Sequence, residues 1–155
     1  MLKPKLVKTD LDKQIAELVG KTDHKILGVW AADCAERVLH YFEEKYPEDY
    51  RPRKAIETLR TWVATHVFKM AVIRKASLDS HSAAREVKEN DDAARSSARS
   101  AGQAVATAHV SAHAIAAAIY AATAVRDGEV KDLAVLGERN WQYQHLLDLN
   151  KKTPL

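Results

Sequence analysis

His109 and His113 stand four residues apart in a stretch that holds no Asp, Glu, Lys or Arg between Arg99 and Arg126. On a continuous helix that spacing puts both imidazoles on one face, with Cβ atoms about 5 to 6 Å apart, close enough to share one divalent metal ion. A third ligand has to come from another helix, and His81, Asp33 and Glu36 are the candidates. No Glu follows His109, so the zinc-protease pattern is missing, and the Glu-x-x-His pair of carboxylate-bridged diiron bundles is missing too. The expected state is therefore two buried neutral imidazoles, hydrogen-bonded to neighbouring carboxylates or carbonyls, with no cofactor. A divalent ion held by His109, His113 and His81 or Asp33, in a sensor or hydrolase, is the alternative.

The remaining chemistry-bearing residues read as structure. Cys34 falls on the apolar face of its helix with no activating base at a recognisable spacing, which makes it a core thiol. Arg51 and Arg53 flank Pro52 and, with Asp49 and Glu57, form an expected surface ion-pair cluster. Asp33 and Arg37 are spaced to pair at i,i+4. Trp30, Trp62 and Trp141 sit at helical spacing, as core residues do. No Gly-rich phosphate loop and no Gly-x-Ser-x-Gly elbow occurs, so the chain is expected to be no enzyme.

The elements that must position these residues are helices. Only 5 Gly and 4 Pro, with much Ala and 6% aromatic residues, favour an all-α fold, and 155 residues suit one domain. A formal charge of +3, with cations spread among acids, argues against nucleic acid as a partner. Lys3, Lys5 and Lys8 read as a solvated arm over residues 1–10. The opening residues lack a signal-peptide h-region, and with a single cysteine this places the chain in the cytoplasm. The charge-free run is long enough to span a bilayer, but it is mostly Ala and carries Gln103, Thr107, His109, Ser111 and His113. It is expected to be the central, Ala-rich buried helix of a bundle and not a membrane span.

About six helices follow from periodicity and punctuation. Thr9 or Asp10 caps the first, Leu11 to about Val19, ended by Gly20. Thr22 or Asp23 caps a second that runs to Lys45, with Leu27, Trp30, Ala31, Cys34, Val38 and Tyr41 inward. Pro52 opens a third, with Ile56, Leu59, Trp62 and Val63 buried and a weak break at Thr65 to Lys69. A fourth spans Lys69 to Glu89, with Ile73, Ala76, Ser80, Ala83 and Val87 inward. The fifth is capped by Asn90 or Asp91 and closed by Asp127-Gly128; its small-residue seam runs through Ala94, Ala98, Ala101, Val105, Ala108, Ala112, Ile115, Ile119 and Ala122. Unbroken, it would be about 54 Å long, against a radius of gyration of about 15 Å for a compact domain of this size. A break is expected at Ser100-Ala101-Gly102. The last helix, Val130 to Leu149, offers Leu133, Leu136, Trp141, Tyr143 and Leu147 for packing, and residues 150–155 are expected to fray.

Three stretches carry a family resemblance: WAADCAERVLHYFEEKYPEDYRPRKAIE from Trp30, AARSSARSAGQAVATAHVSAHAIAAAIYAATAV from Ala93, and ERNWQ with HLL from Glu138. Together they resemble the putative immunity proteins, a family of small all-helical bacterial proteins. The resemblance implies a protein that binds and blocks a toxin made by the same or a neighbouring cell. His109, His113, Asp33, Arg53 and Trp141 match positions in the family's phrases, which implies shared architecture, and no family motif marks the toxin-binding surface. The least familiar segment, Met1 to His24, and the exposed fourth helix are where a partner-specific surface is expected. A homo-oligomer with the small-residue seam facing a second copy is a further alternative.

Overall fold

Helices account for all the regular structure in the computed structural model, which describes residues 5–128 and 132–152. They are α1 (Asp12–Gly20), α2 (His24–Val38), α3 (His40–Glu43), α4 (Arg51–Thr65), α5 (Met70–Glu86), α6 (Asp92–Ala106), α7 (His113–Gly128) and α8 (Asp132–Lys152). Since α3 is one turn that continues α2 through Leu39, which is itself in helical conformation, these make seven separate helices among the described residues, against the about six expected. No helix among the described residues is long and apolar enough to cross a membrane.

Local chemistry explains most boundaries. Asp23 accepts a hydrogen bond from the Lys25 N–H and caps α2. At α1 neither Thr9 nor Asp10 caps; the Asp12 carboxylate instead accepts bonds from the Thr9 N–H and hydroxyl. Pro52 occupies the first turn of α4. The break after Thr65 is real: His66 takes a left-handed conformation, φ 60°, and closes α4 by donating its N–H to the Trp62 carbonyl.

The charge-free run is not one helix. It divides at Thr107 to Ala112, five residues beyond the expected Ser100-Ala101-Gly102 break, and α7 folds back antiparallel to α6. Two contacts fix that hairpin: the Ser100 hydroxyl donates to the Ala117 carbonyl (2.7 Å), and His113 Nδ1–H donates to Gln103 Oε1 (2.7 Å). The end of α6 tightens through i→i+3 bonds to the carbonyls of Ala104, Val105 and Ala106, and the Thr107 carbonyl is capped by His24 Nε2–H at 2.5 Å. Gly102 has another use. A Cβ there would stand 2.7 Å from His81 Nε2, so the missing side chain lets the His81 ring lie against α6.

The core centres on α2, enclosed by α4, α6, α7 and α8. Leu27, Trp30, Ala31, Cys34 and Val38 are buried as expected, as are Ile56, Leu59 and Trp62 of α4 and the full inward set of α5. The seam of small residues holds through Ala108, after which the turn resets its phase: Ala112 is exposed, and α7 buries Ala114, Ala117, Ala118, Ala121 and Ala122. In α8 the expected face is displaced. Leu136 is 46% exposed, while Glu138, Arg139, Gln142 and Leu146 are buried; Leu133 lies outside the described side chains. Within the segment read as an arm, Val7 is buried beside Ala122 and Val135, with its N–H on Thr123 Oγ1 (3.2 Å). Residues 1–4 of that segment, and 153–155 of the expected frayed tail, lie outside the described residues, while Asn150 to Lys152 continue α8.

Candidate interaction face

The residues considered as metal ligands do not all gather at one point among the described residues. His109 lies in the α6–α7 turn, exposed, with its ring stacked on Phe68 at 6.0 Å between centroids. His113 opens α7 and is engaged by Gln103. His81, on α5, accepts a bond from Arg99 Nη1 (2.9 Å); burial, then the cations Arg99 and Arg85 and the neighbouring His113, hold its pKa down to about 4. Asp33 is on α2 between Arg60 (2.9 Å) and His145 (2.7 Å), and Glu36 also meets Arg60 (3.2 Å). The break at Thr107 to Ala112 is the physical reason the pair fails as a helix face: the two histidines sit on different elements. Among the described residues no three His, Cys, Asp or Glu side chains gather where they could hold a metal ion.

The charged residues of the core knit helices together. Arg37 does not pair with Asp33; it makes a two-pronged bridge to Glu138 of α8 (2.9 Å for each bond) and stacks over Trp141 at 3.8 Å. Arg139, 1% exposed, donates to Asp12 of α1 and to Gln142, and Gln142 in turn donates to the Ala118 carbonyl of α7. Trp30 Nε1–H donates to the Gln142 carbonyl (2.8 Å). Arg51 pairs with Asp49 and Glu86, and Arg53 with Glu43 and not Glu57. Cys34 is buried, and burial pushes its thiol well above the ordinary range. Periodicity could not find the Glu138, Arg139 and Gln142 layer, because charged and amide residues on a helix read as its solvent side.

Large apolar side chains are left uncovered at one part of the surface. Of the eight large hydrophobic side chains exposed among the described residues, six are carried by the α4–α5 loop, by α5 and by the α6–α7 turn: Val67, Phe68, Met70, Val72, Leu78 and Val110, each between 43% and 56% exposed. The Phe68–His109 stack joins loop to turn. A groove of about 260 Å³ runs between Met70, Ile73, Arg74, Leu78 and His109. Across the ridge a second groove, of about 400 Å³, is bounded by Lys54, Trp62, Val67, Lys69 and Val72. The Trp62 ring at its floor carries Lys25 Nζ at 3.6 Å. Scattered apolar residues on a surface are ordinary, whereas a contiguous patch rimmed by polar groups marks a contact surface.

A family model described as Imm-5 like putative immunity protein matches residues 17–149, from α1 through nearly all of α8. No curated protein and no solved structure matches the chain.

Proposed function

Given that the chain belongs to the Imm-5 like putative immunity protein family, we propose that it neutralises a protein toxin in the cytoplasm by covering part of the toxin's surface, with no catalysis of its own. The observation that carries this reading is the exposed apolar face around Phe68 and Met70. Aromatic and Met side chains flanked by Arg and Lys, with Asp and Glu absent, match the composition of protein-binding surfaces. The face is built on packed helices: α4 and the α6–α7 hairpin pack on the central helix α2, and α5 packs on α4 and α6.

The test is co-expression with the candidate toxin that accompanies this chain in its host, followed by growth and affinity capture. Protection of growth together with a stable one-to-one complex is the expected result. Absence of both, with soluble folded protein present, would sink the reading. A toxin neutralised at substoichiometric amounts of this chain would show catalysis and would sink its non-enzymatic part.

A further inference from the structure

We infer that the surface this face accepts is acidic as well as apolar, so that the toxin is held through a carboxylate-bearing amphipathic segment and not through a basic, phosphate-binding cleft. The inference rests on the toxin-neutralising reading and adds the chemistry of the partner. From Thr58 to Leu78 the chain has no Asp or Glu but carries Arg60, Lys69, Arg74 and Lys75, and the stretch from Ser100 to Val125 has no charged residue at all. The fold brings these two acid-free segments to one side through the Phe68–His109 stack.

Pairing bears on the same face. Many cations are matched to acids: Arg37 with Glu138, Arg51 with Asp49 and Glu86, Arg53 with Glu43, Arg60 with Asp33 and Glu36, Lys45 with Asp91, Lys75 with Asp79. The three that line the grooves, Lys54, Lys69 and Arg74, have no acid partner among the described residues. An apolar ridge between unmatched cations is complementary to a helix or loop with apolar residues on one side and Asp or Glu flanking them. A toxin surface built to grip phosphates would set like charges opposite Lys69 and Arg74 and would be repelled.

Fluorescence anisotropy with the full chain tests this directly. Two labelled amphipathic peptides of about 18 residues, or five helical turns, share one Leu/Phe face and differ in carrying Glu or Lys at every charged position. The Glu peptide is expected to bind at least tenfold tighter than the Lys peptide at low salt, and to weaken as salt rises. Phe68→Ser should weaken it about tenfold, and Lys69→Glu with Arg74→Glu should abolish or reverse the preference; all three positions are on the surface, and an unchanged Tm verifies that each variant folds. Binding of neither peptide, equal binding, a preference for Lys, or binding indifferent to both variants overturns the inference. So does a dimer in sedimentation that Phe68→Ser disperses, since the occupant is then a second copy. If toxin protection persists in both variants, the toxin-neutralising reading stands and this assignment falls; if the wild type binds no toxin, that reading falls whatever the peptides do.

Discussion

Replacing Gln142 by Met separates the hydrogen-bonding role of a buried amide from its volume. Gln142 is fully buried, and its Oε1 accepts from Arg139 Nη1 at 2.8 Å while its Nε2 donates to the Ala118 carbonyl at 2.9 Å. Met has nearly the same length and bulk, so no large cavity forms. What disappears is an acceptor for a guanidinium that is 1% exposed, whose other bond goes to Asp12 and whose Nε–H has no partner. Stranding a second N–H of a buried cation costs about 1 to 3 kcal/mol. The Ala118 carbonyl keeps its helical partner, so losing the Nε2 bond adds about 0.5 to 1 kcal/mol, and burying the apolar Met returns about 1 kcal/mol. The net loss is about 2 kcal/mol, against about 3 to 4 kcal/mol for Gln142→Ala, which also leaves a void. In a chain of 155 residues about 2 kcal/mol lowers Tm by about 4 to 8 °C. Urea unfolding measures it, with the midpoint shifted and the slope unchanged. In an Arg139→Met background the same step should cost less by about 1 kcal/mol or more, because no guanidinium is left to strand. A Gln142→Met variant within about 0.5 kcal/mol of wild type, or an equal cost in both backgrounds, would refute the reasoning.

Other outcomes follow from the same contacts. The folded protein holds His81 near pKa 4 against an ordinary 6.5, so stability is full above pH 6.5, falls as pH drops toward 4 and levels below it; His81→Gln, which keeps an acceptor for Arg99, should flatten that slope in urea midpoints taken across the range. Below pH 4 a second decline is expected from Asp49, held low by its hydrogen bonds from Arg51, and from Asp12, where burial raises the pKa but bonds from Arg139 and Thr9 outweigh it; Asp12→Asn should shrink this decline. His109→Ala should change stability by under about 0.5 kcal/mol and His113→Ala by about 1 kcal/mol, with no zinc-dependent rise in Tm for wild type; a stoichiometric rise lost in both variants would establish the metal reading instead. Cys34 should react with a thiol reagent only at the rate of global unfolding, and prompt labelling of native protein would contradict its burial.

Helix type, most helix boundaries and the inward faces of α2, α4 and α5 were legible because each rests on local chemistry: Asp23 at an N-terminus, Pro52 in a first turn, apolar residues at helical spacing. The family was legible too, in phrases such as ATAHVSAH and ERNWQ, and the family match over residues 17–149 bears it out. The site was less so. That Thr65 to Lys69 breaks the helix could be read from poor helix formers in succession, but that Val67, Phe68 and Met70 stay exposed could not, since an apolar residue looks the same in sequence whether or not a neighbour covers it.

The sequence by itself determined an all-α chain, the Asp23 cap of α2 and the segments free of acids, since these depend on residues within a few positions of one another. Tertiary structure alone decided where the Ala-rich run turns, because Ala favours helix equally at every position and only distant partners break the tie. Those partners are His24 at the Thr107 carbonyl, Ala117 facing Ser100 and the His81 ring against Gly102. By moving that turn to Thr107 through Ala112 they took His109 off the helix that holds Gln103, set it against Phe68, and replaced a presumed buried histidine pair with an open apolar face.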